Sequence, residues 1–322
     1  MSNMRMVDMH CDTLLEMRGS KTGFDNAPGH INIDKLRRGG ALLQCFAIYT
    51  PTHDEAAEYN ISGTSWEYYN EALTRFQNEL KKCPDSLRQM RTMDEFRANS
   101  AAGMISAMLT LEDGDCIDGR IERVQTLFDD GVRMVTLTWN HENSIGFPNS
   151  FDPAHHAKGL KEFGFEVVSE MNRLGMIVDV SHLSESGFYD VACVSKKPFL
   201  ASHSCARALC DHSRCLTDEQ LKTLGDCGGV CGVNFYSRFL RRDSDYTSNE
   251  DILRHMEYIA DKAGMDAVAL GSDFDGIDCE LEMKDYSGMA LLSELIADRF
   301  GSDNADKICF ANALRVFSEN IG

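Results

Sequence analysis

The chain has 322 residues, 43% of them hydrophobic, and a formal net charge of −19 at pH 7. A protein this acidic repels phosphate backbones, so it is a poor candidate for binding nucleic acid. No apolar run approaches the roughly 20 residues that a membrane-spanning helix needs, which argues against a membrane protein.

The N-terminal residues MSNMRMVDMHCD contain neither an apolar signal core nor a cleavage site, and this predicts a cytoplasmic protein. The 12 cysteines are scattered along the chain and form no C-x-x-C pair. They are therefore predicted to be reduced, small core residues and not a disulfide framework or a zinc knuckle. A thiol redox function would rest on the cysteine count alone.

Short apolar runs that end in polar residues recur eight times along the chain. They cover residues 4–12, 41–50, 103–115, 131–140, 175–184, 197–206, 228–236 and 266–276. Segments with helical periodicity lie between or after them, at residues 65–83, 119–131, 164–175, 184–196, 216–229, 249–264, 284–301 and 302–322. Several of these segments end in glycine just before the next run, as helix C-caps do.

Eight strands that alternate with helices predict parallel β/α units, and eight is the number that closes a barrel. An open, doubly wound sheet is the alternative. The turn after the first strand, HCDTLLEMRGS, lacks the glycine-rich phosphate-binding motif that such sheets usually carry. The sequence therefore predicts an α/β fold, a (β/α)8 TIM-type barrel, as a single domain over residues 1–322 with an extra C-terminal helix.

Histidines and carboxylates stand where the predicted strands end. In a strand, residues i and i+2 share a face, so His10 and Asp12 would point the same way. Because the chemistry of a β/α barrel lies at the C-terminal ends of its strands, all these side chains are predicted to converge on one rim. They are His10, Asp12, Glu112, Trp139, Asn140, His141, His182, His203, Asp273 and Asp275.

Each of these residues has an ordinary structural explanation, such as a hydrogen-bonded rim histidine or an Asx turn in SDFDG. Taken together, however, three histidines and several carboxylates suit Zn²⁺ or a similar divalent ion. A carboxylate can bridge two ions, and two ions about 3.5 Å apart can acidify one water between them. The combined pattern therefore predicts a two-metal hydrolase.

The motifs HCDT, LTLED, LTWNHEN, VDVSH, ASHSCARAL, GVNFY and GSDFDG, in this order, resemble the membrane dipeptidase (renal dipeptidase) family of zinc peptidases. The resemblance spans essentially the whole chain. It implies a β/α barrel with two Zn²⁺ ions that cleaves dipeptides through a metal-bridging hydroxide, and it extends the expected substrates to dipeptides with a C-terminal D-residue. In the absence of leader and anchor signals, the chain resembles the soluble bacterial-type members. Other divalent transition metals stay open, and a homodimer is implied by the resemblance alone.

The resemblance also assigns roles to individual residues. It implies His10 and Asp12 as ligands of one zinc, Glu112 as the bridging ligand, and His182 and His203 as ligands of the other zinc. It further implies Asp273 as the acid/base residue and Arg214, eleven residues after His203, as the residue that binds the substrate carboxylate. An arginine suits that task because its planar fork matches a carboxylate.

The chain departs from the family pattern at one position. Where the animal members have a substrate-facing histidine, this chain has Trp139. His141, two residues further on, is the candidate for that catalytic and substrate-binding role, on the condition that the strand continues that far.

Two other functions stay open. One is a different binuclear amidohydrolase acting on cyclic amides, lactones or nucleobases. Those barrels commonly carry H-x-H on the first strand and often a carboxylated lysine as the bridge, whereas this chain has His10-x-Asp12 and Glu112. The other is a barrel without catalysis that binds a ligand or partner, although all five predicted metal ligands are present.

Overall fold

Eight parallel strands of the chain close into a barrel in the computed structural model, which describes residues 5–52, 56 and 61–322. In order around the barrel, the strands are β1 (Met6–Asp8), β2 (Ala41–Tyr49), β4 (Ile105–Glu112), β5 (Val132–Thr136), β6 (Ile177–Asp179), β7 (Leu200–Ser204), β8 (Val230–Val233) and β10 (Val268–Leu270). Strand β1 pairs with both β2 and β10, and β2 pairs with β4, which closes the ring. The predicted (β/α)8 TIM-type barrel is thus confirmed, and each of the eight predicted runs contains one barrel strand.

Three further short strands of the described residues lie outside the ring. Strand β3 (Leu87–Gln89) pairs with the beginning of β4, while β9 (Tyr246–Thr247) and β11 (Glu280–Leu281) pair with each other. None of the three was predicted from the sequence, because two or three residues are too few to show a periodic pattern.

Helices of the described chain surround the barrel, and their limits follow local sequence signals. Helix α3 (Ser65–Lys82) begins after Thr64, which forms a capping box with Glu67. Helices α5 (Glu122–Asp130) and α7 (Glu162–Leu174) end at Gly131 and Gly175, whose φ angles of 101° and 80° are left-handed, as glycine C-caps require. The helices are α1 (Thr13–Glu16), α2 (Ile33–Arg38), α3 (Ser65–Lys82), α4 (Met93–Ala101), α5 (Glu122–Asp130), α6 (Pro153–His156), α7 (Glu162–Leu174), α8 (Glu185–Val194), α9 (Asp218–Asp226), α10 (Ser237–Leu240), α11 (Asn249–Ala263), α12 (Met289–Phe300), α13 (Ser302–Asp306) and α14 (Asn312–Ile321).

The interior of the barrel is a packed apolar core. Its side chains include Val7, Met9, Cys45, Met108, Met134 and Ile177, and it is continuous with Val316 and Phe317 of α14. The predicted extra C-terminal helix therefore belongs to this inner core, and a second, larger cluster fills the space between the strands and the outer helices. Nine of the 12 cysteines are buried, in agreement with the prediction of small core residues.

Within the described ranges, the helices are too short or too polar to cross a lipid bilayer. The assignment of residues 1–322 to one domain stays a prediction.

Candidate active site

Six of the ten predicted rim residues line a cavity of about 730 Å³ at the C-terminal ends of the barrel strands. Strands β2 and β4 pair from Leu43 opposite Ser106 to Tyr49 opposite Glu112, so Glu112 stands at the very end of its strand. The side chains that line the cavity include Asp12, Glu112, Trp139, Asn140, His182, Arg214, Tyr236 and Asp273. The barrel thereby brings residues from distant parts of the sequence into one site.

The carboxylate of Glu112 faces two different groups of side chains. Its Oε2 atom lies 3.5 Å from Nε2 of His10. Its Oε1 atom lies 3.2 Å from Nε2 of His182 and 3.4 Å from Nε2 of His203. One oxygen of Glu112 therefore faces each group of side chains.

One group, which we call the carboxylate-rich half, consists of His10, Asp12 and Asp273. Nε2 of His10 lies 3.3 Å from Oδ2 of Asp12 and 3.8 Å from Oδ1 of Asp273. Oδ1 of Asp12 is buried and has no hydrogen-bond partner among the described residues. A buried carboxylate oxygen without a donor is costly unless a cation completes its surroundings, so this half fits a metal ion.

The other group, the imidazole half, consists of His182 and His203, whose Nε2 atoms are 3.0 Å apart. Nδ1 of His182 donates to Oδ1 of Asn140 at 3.2 Å, since an amide oxygen can only accept. This leaves the lone pair of the His182 Nε2 atom directed at His203 and Glu112. Two imidazole nitrogens and a carboxylate oxygen form a donor set that suits Zn²⁺, so this half also fits a metal ion.

The pKa values in the two halves are shifted in opposite directions. Burial raises the pKa of Glu112 to about 7 and that of Asp273 to about 8. Burial acts to lower the pKa of His10, but the nearby Glu112 and Asp12 carboxylates hold it well above its usual range. Burial and the positive charge of Arg214 lower the pKa values of His182 and His203 well below the usual range. The site thus gathers groups that hold protons near neutral pH on one side and neutral imidazoles on the other.

Two of the site residues have an unusual backbone conformation. His182 and Asp273 adopt positive φ angles of 66° and 63°, a region that most residues other than glycine avoid. Such strain is tolerated where surrounding structure holds the chain, and it is typical of functional sites. Gly276 lies so close to Asp12 and Asp273 that a Cβ atom there would collide with both carboxylates.

The guanidinium of Arg214 is held at the wall of the cavity. It is buried and donates from Nη1 to Oγ of Ser204 at 2.8 Å and from Nη2 to the backbone oxygen of His203 at 2.9 Å. Its Nε atom has no hydrogen-bond partner among the described residues. Arg214 is therefore a rigid cation with hydrogen-bonding capacity left for an anionic group.

The position of His141 does not support the role predicted for it. Strand β5 ends at Thr136, so the condition that the strand reach His141 is not met. Asp113 accepts hydrogen bonds from the backbone N–H of Trp139 and from the Asn143 side chain, which fixes the chain after the strand. As a result, Trp139 and Asn140 line the cavity, whereas His141 is exposed.

Three polar residues at the site received no role from the sequence. Asn140 contacts His182, and Asn234 donates from Nδ2 to Oδ2 of Asp273 at 2.8 Å. Asp179, which is fully buried in β6, lies beneath the imidazole half. A carboxylate inside the apolar run of VDVSH was the available signal for Asp179, because buried charges need specific partners. Asn234 lies in GVNFY, where nothing local distinguishes it.

The profile of the membrane dipeptidase family (peptidase family M19) matches residues 1–321. An uncharacterized protein encoded in the pqqA 5′ region of Klebsiella pneumoniae is 39% identical over 224 residues, which are 66% of this chain and 81% of that protein. An uncharacterized dipeptidase of Schizosaccharomyces pombe is 33% identical over 269 residues, covering 79% of this chain and 63% of that protein.

A solved structure with a similar fold is the metallopeptidase of Rhodobacter sphaeroides, which was crystallised with a phosphinate mimic of the dipeptide L-Ala-D-Ala. It is 26% identical with a TM-score of 0.89, and the match covers 99% of this chain and 100% of that one. The match to the family profile over nearly the full length, with these relatives, shows that the chain belongs to the membrane dipeptidase family and is a metallopeptidase, a hydrolase.

Proposed function

We propose that the protein is a binuclear zinc dipeptidase whose range includes dipeptides with a C-terminal D-residue. The observation that carries the proposal is the position of Glu112, with one oxygen toward His10 and the other toward His182 and His203. A single metal ion would need only one of these two oxygens. Asp12 completes the proposed ligand set on the His10 side.

His10, Asp12 and Glu112 would hold one ion, and Glu112, His182 and His203 would hold the other. When bound, a pair of Zn²⁺ ions supplies an acidified water as the nucleophile and a Lewis acid for the scissile carbonyl. Another divalent transition metal could occupy the same oxygen and nitrogen ligands.

Asp273 is the proposed acid/base residue. Its Oδ2 atom is held by Asn234, while Oδ1 lies on the side of His10, at the centre of the site. Burial raises the pKa of this carboxyl to about 8, so near neutral pH it can exchange a proton in either direction. Asp273 would take the proton of the attacking water and deliver it to the leaving amine.

Arg214 is proposed to bind the C-terminal carboxylate of the dipeptide. The guanidinium is fixed by Ser204 and by the backbone of His203, so little entropy is lost when a substrate carboxylate meets it. The free α-amine of the dipeptide would face the carboxylate-rich half. The phosphinate mimic of L-Ala-D-Ala bound by the Rhodobacter sphaeroides relative supports a C-terminal D-residue as an accepted substrate group.

Other expectations accompany this proposal. The net charge of −19 supports the absence of a nucleic-acid partner. Cytoplasmic location, the absence of a membrane partner and a homodimer stay predictions.

The proposal is tested by two measurements on one sample purified without chelator. Elemental analysis gives the metal content per chain, and a substrate panel compares L,L- and L,D-dipeptides with tripeptides, lactones, cyclic amides and nucleobases. We expect about two zinc ions per chain and cleavage of dipeptides. Two metal ions with activity on another substrate class would favour the amidohydrolase alternative. A protein that binds no metal even after zinc is added would contradict the proposed site.

A further inference from the structure

Asp179 is a fully buried carboxylate that the proposed mechanism does not use. Its Oδ1 atom accepts hydrogen bonds from the backbone N–H groups of Ser181 at 2.9 Å and Ser202 at 2.8 Å. Its Oδ2 atom accepts from the hydroxyls of Thr136 and Ser202, both at 2.5 Å. Each oxygen of Asp179 therefore receives two donors and acts only as an acceptor.

The hydroxyl of Ser202 connects Asp179 to a metal-binding imidazole. Its Oγ atom lies 2.5 Å from Oδ2 of Asp179 and 2.7 Å from Nδ1 of His203. A hydroxyl has one proton to donate. Because Asp179 can only accept, that proton lies toward Asp179, and Oγ must then accept from Nδ1–H of His203. The Nε2 atom of His203 is left with its lone pair.

We propose that Asp179, acting through Ser202, is a positioning residue that fixes His203 in the tautomer whose Nε2 atom can bind a metal ion. The inference rests on the proposed function in one respect, the metal ion placed at Glu112, His182 and His203. Partners of this kind around a ligand histidine typically change metal affinity by 10–100-fold when they are removed.

The test variant is Asp179→Asn, which keeps the shape of the side chain. The backbone N–H groups of Ser181 and Ser202 hold the amide oxygen on the Oδ1 side, so the NH2 group falls next to the Ser202 hydroxyl. The hydroxyl then accepts from Asn and turns its own proton toward Nδ1 of His203. The proton of the imidazole moves to Nε2, where it blocks the metal.

A matched control exists on the other side of the barrel. Asp8 is also fully buried, and it accepts from the backbone N–H and the hydroxyl of Ser272 at 2.8 and 2.6 Å. Apart from Asp8, the Ser272 hydroxyl bonds within the described residues to the backbone oxygen of His10 and the backbone N–H of Phe274, and to no imidazole nitrogen. Asp8→Asn should therefore leave the tautomer of His203 unchanged.

The first readout is ¹⁵N NMR of the histidine rings in the metal-free protein, with the His203 signals assigned by their loss in His203→Asn. We expect Nδ1–H in the wild type and in Asp8→Asn, and Nε2–H in Asp179→Asn. If Asp179→Asn does not fold, Ser202→Ala takes its place and should yield a mixture of tautomers. A wild-type His203 protonated at Nε2, or tautomers unchanged in the folded variants, would overturn the proposal.

The second readout is zinc affinity by chelator competition. Asp179→Asn should lower the affinity for one of the two zinc ions by about 10–100-fold and leave the affinity for the other near the wild-type value. Equal affinities in the variant and the wild type would contradict the proposal. Neither readout depends on peptide hydrolysis, so a protein that binds metal and shows the expected tautomers but cleaves no dipeptide would refute the proposed function alone.

Discussion

The carboxylate-rich half and the imidazole half of the site meet at Glu112 and differ in the way their groups hold protons. In the first, His10 is surrounded by Asp12, Asp273 and Glu112, and the pKa of its imidazole is raised by those carboxylates. In the second, burial and Arg214 lower the pKa values of His182 and His203. In the proposed two-metal site, the first half therefore has more protons to release than the second near neutral pH.

The difference extends into the barrel beneath the two halves. A buried aspartate lies under each half, with a serine hydroxyl as its partner: Asp8 with Ser272, and Asp179 with Ser202. Ser272 precedes Asp273 in the chain and holds the backbone, whereas Ser202 contacts the ring of His203 directly. The same local arrangement thus positions the backbone next to Asp273, the proposed acid/base residue, in one half and the imidazole ring of His203 in the other.

The largest effect is expected for Glu112→Gln, because Glu112 is shared by both halves. A neutral amide cannot bridge two cations, so both ions should be lost and kcat/KM for a dipeptide should fall by more than about 1000-fold. Metal content per chain and dipeptide hydrolysis are measured on the same preparation. Glu79→Gln, which changes another buried glutamate, serves as the control and should keep both ions. A Glu112→Gln protein with two ions and full activity would exclude the bridging role.

Asp273→Asn changes the carboxylate-rich half alone. The amide keeps the shape of the side chain but cannot carry the proton, so kcat should fall by about 100-fold or more with the metal content unchanged. Steady-state kinetics with elemental analysis checks this. Asp12→Asn is the comparison, since it should lose metal from the same half. Wild-type kcat in Asp273→Asn would remove the acid/base assignment, and a loss of metal would make Asp273 a ligand.

Arg214→Lys tests whether Arg214, next to the imidazole half, binds the carboxylate of the substrate. Lysine keeps the charge but loses the planar fork, so KM for a dipeptide should rise about 10- to 50-fold. The wild type should also prefer a dipeptide over its C-terminal amide, and the variant should lose most of that preference. Arg238→Lys, at another arginine of the cavity wall, is the control and should change KM little. An unchanged preference in Arg214→Lys would mean that another group binds the carboxylate.

The pH dependence of zinc affinity should separate the two halves. His182→Asn removes a proposed ligand of the imidazole half, so that zinc binding to the carboxylate-rich half can be measured. His10→Asn does the reverse and isolates the imidazole half. A ligand whose pKa is raised keeps its proton up to a higher pH, and zinc must displace that proton. Lowering the pH from 8 to 6 should therefore lower the zinc affinity of the carboxylate-rich half by about tenfold per pH unit for each proton displaced.

The histidines of the imidazole half have lowered pKa values, so they carry no proton for zinc to displace in this pH range. The zinc affinity of this half should depend on pH only through Glu112, whose pKa is about 7. Chelator competition at pH 6, 7 and 8 measures both slopes. Equal slopes, or a steeper slope in His10→Asn, would contradict the difference in proton binding between the halves.

The smallest effect is expected for His141→Ala, outside both halves. Since His141 is exposed and away from the cavity wall, kcat/KM should change by less than about twofold. Asn140→Ala is the matched comparison and should lower activity more, because Asn140 contacts Nδ1 of His182. A large loss in His141→Ala with a small one in Asn140→Ala would restore the role predicted from the sequence.

The sequence by itself determined the eight strands of the barrel and the chemical types of the residues at their ends. Strand runs and helical segments differ in hydrophobic period, which is a local property of the chain. The pairing of His10 with Asp12 followed from the two-residue repeat of a strand. The convergence of His182, His203 and Asp273 with them followed from the rule that barrel chemistry lies at the C-terminal ends of the strands.

Tertiary structure alone decided how these residues are oriented. The separate directions of the two Glu112 oxygens, the contact of Asn234 with Asp273, and the hydroxyl of Ser202 between Asp179 and His203 join residues from different strands. Such contacts depend on strand register and side-chain rotamers, which local patterns in the sequence do not reveal. His141 shows the same limit, because Asp113 holds the chain after Thr136 away from an extended path, and the alternation of a strand stops predicting directions where its ladder ends.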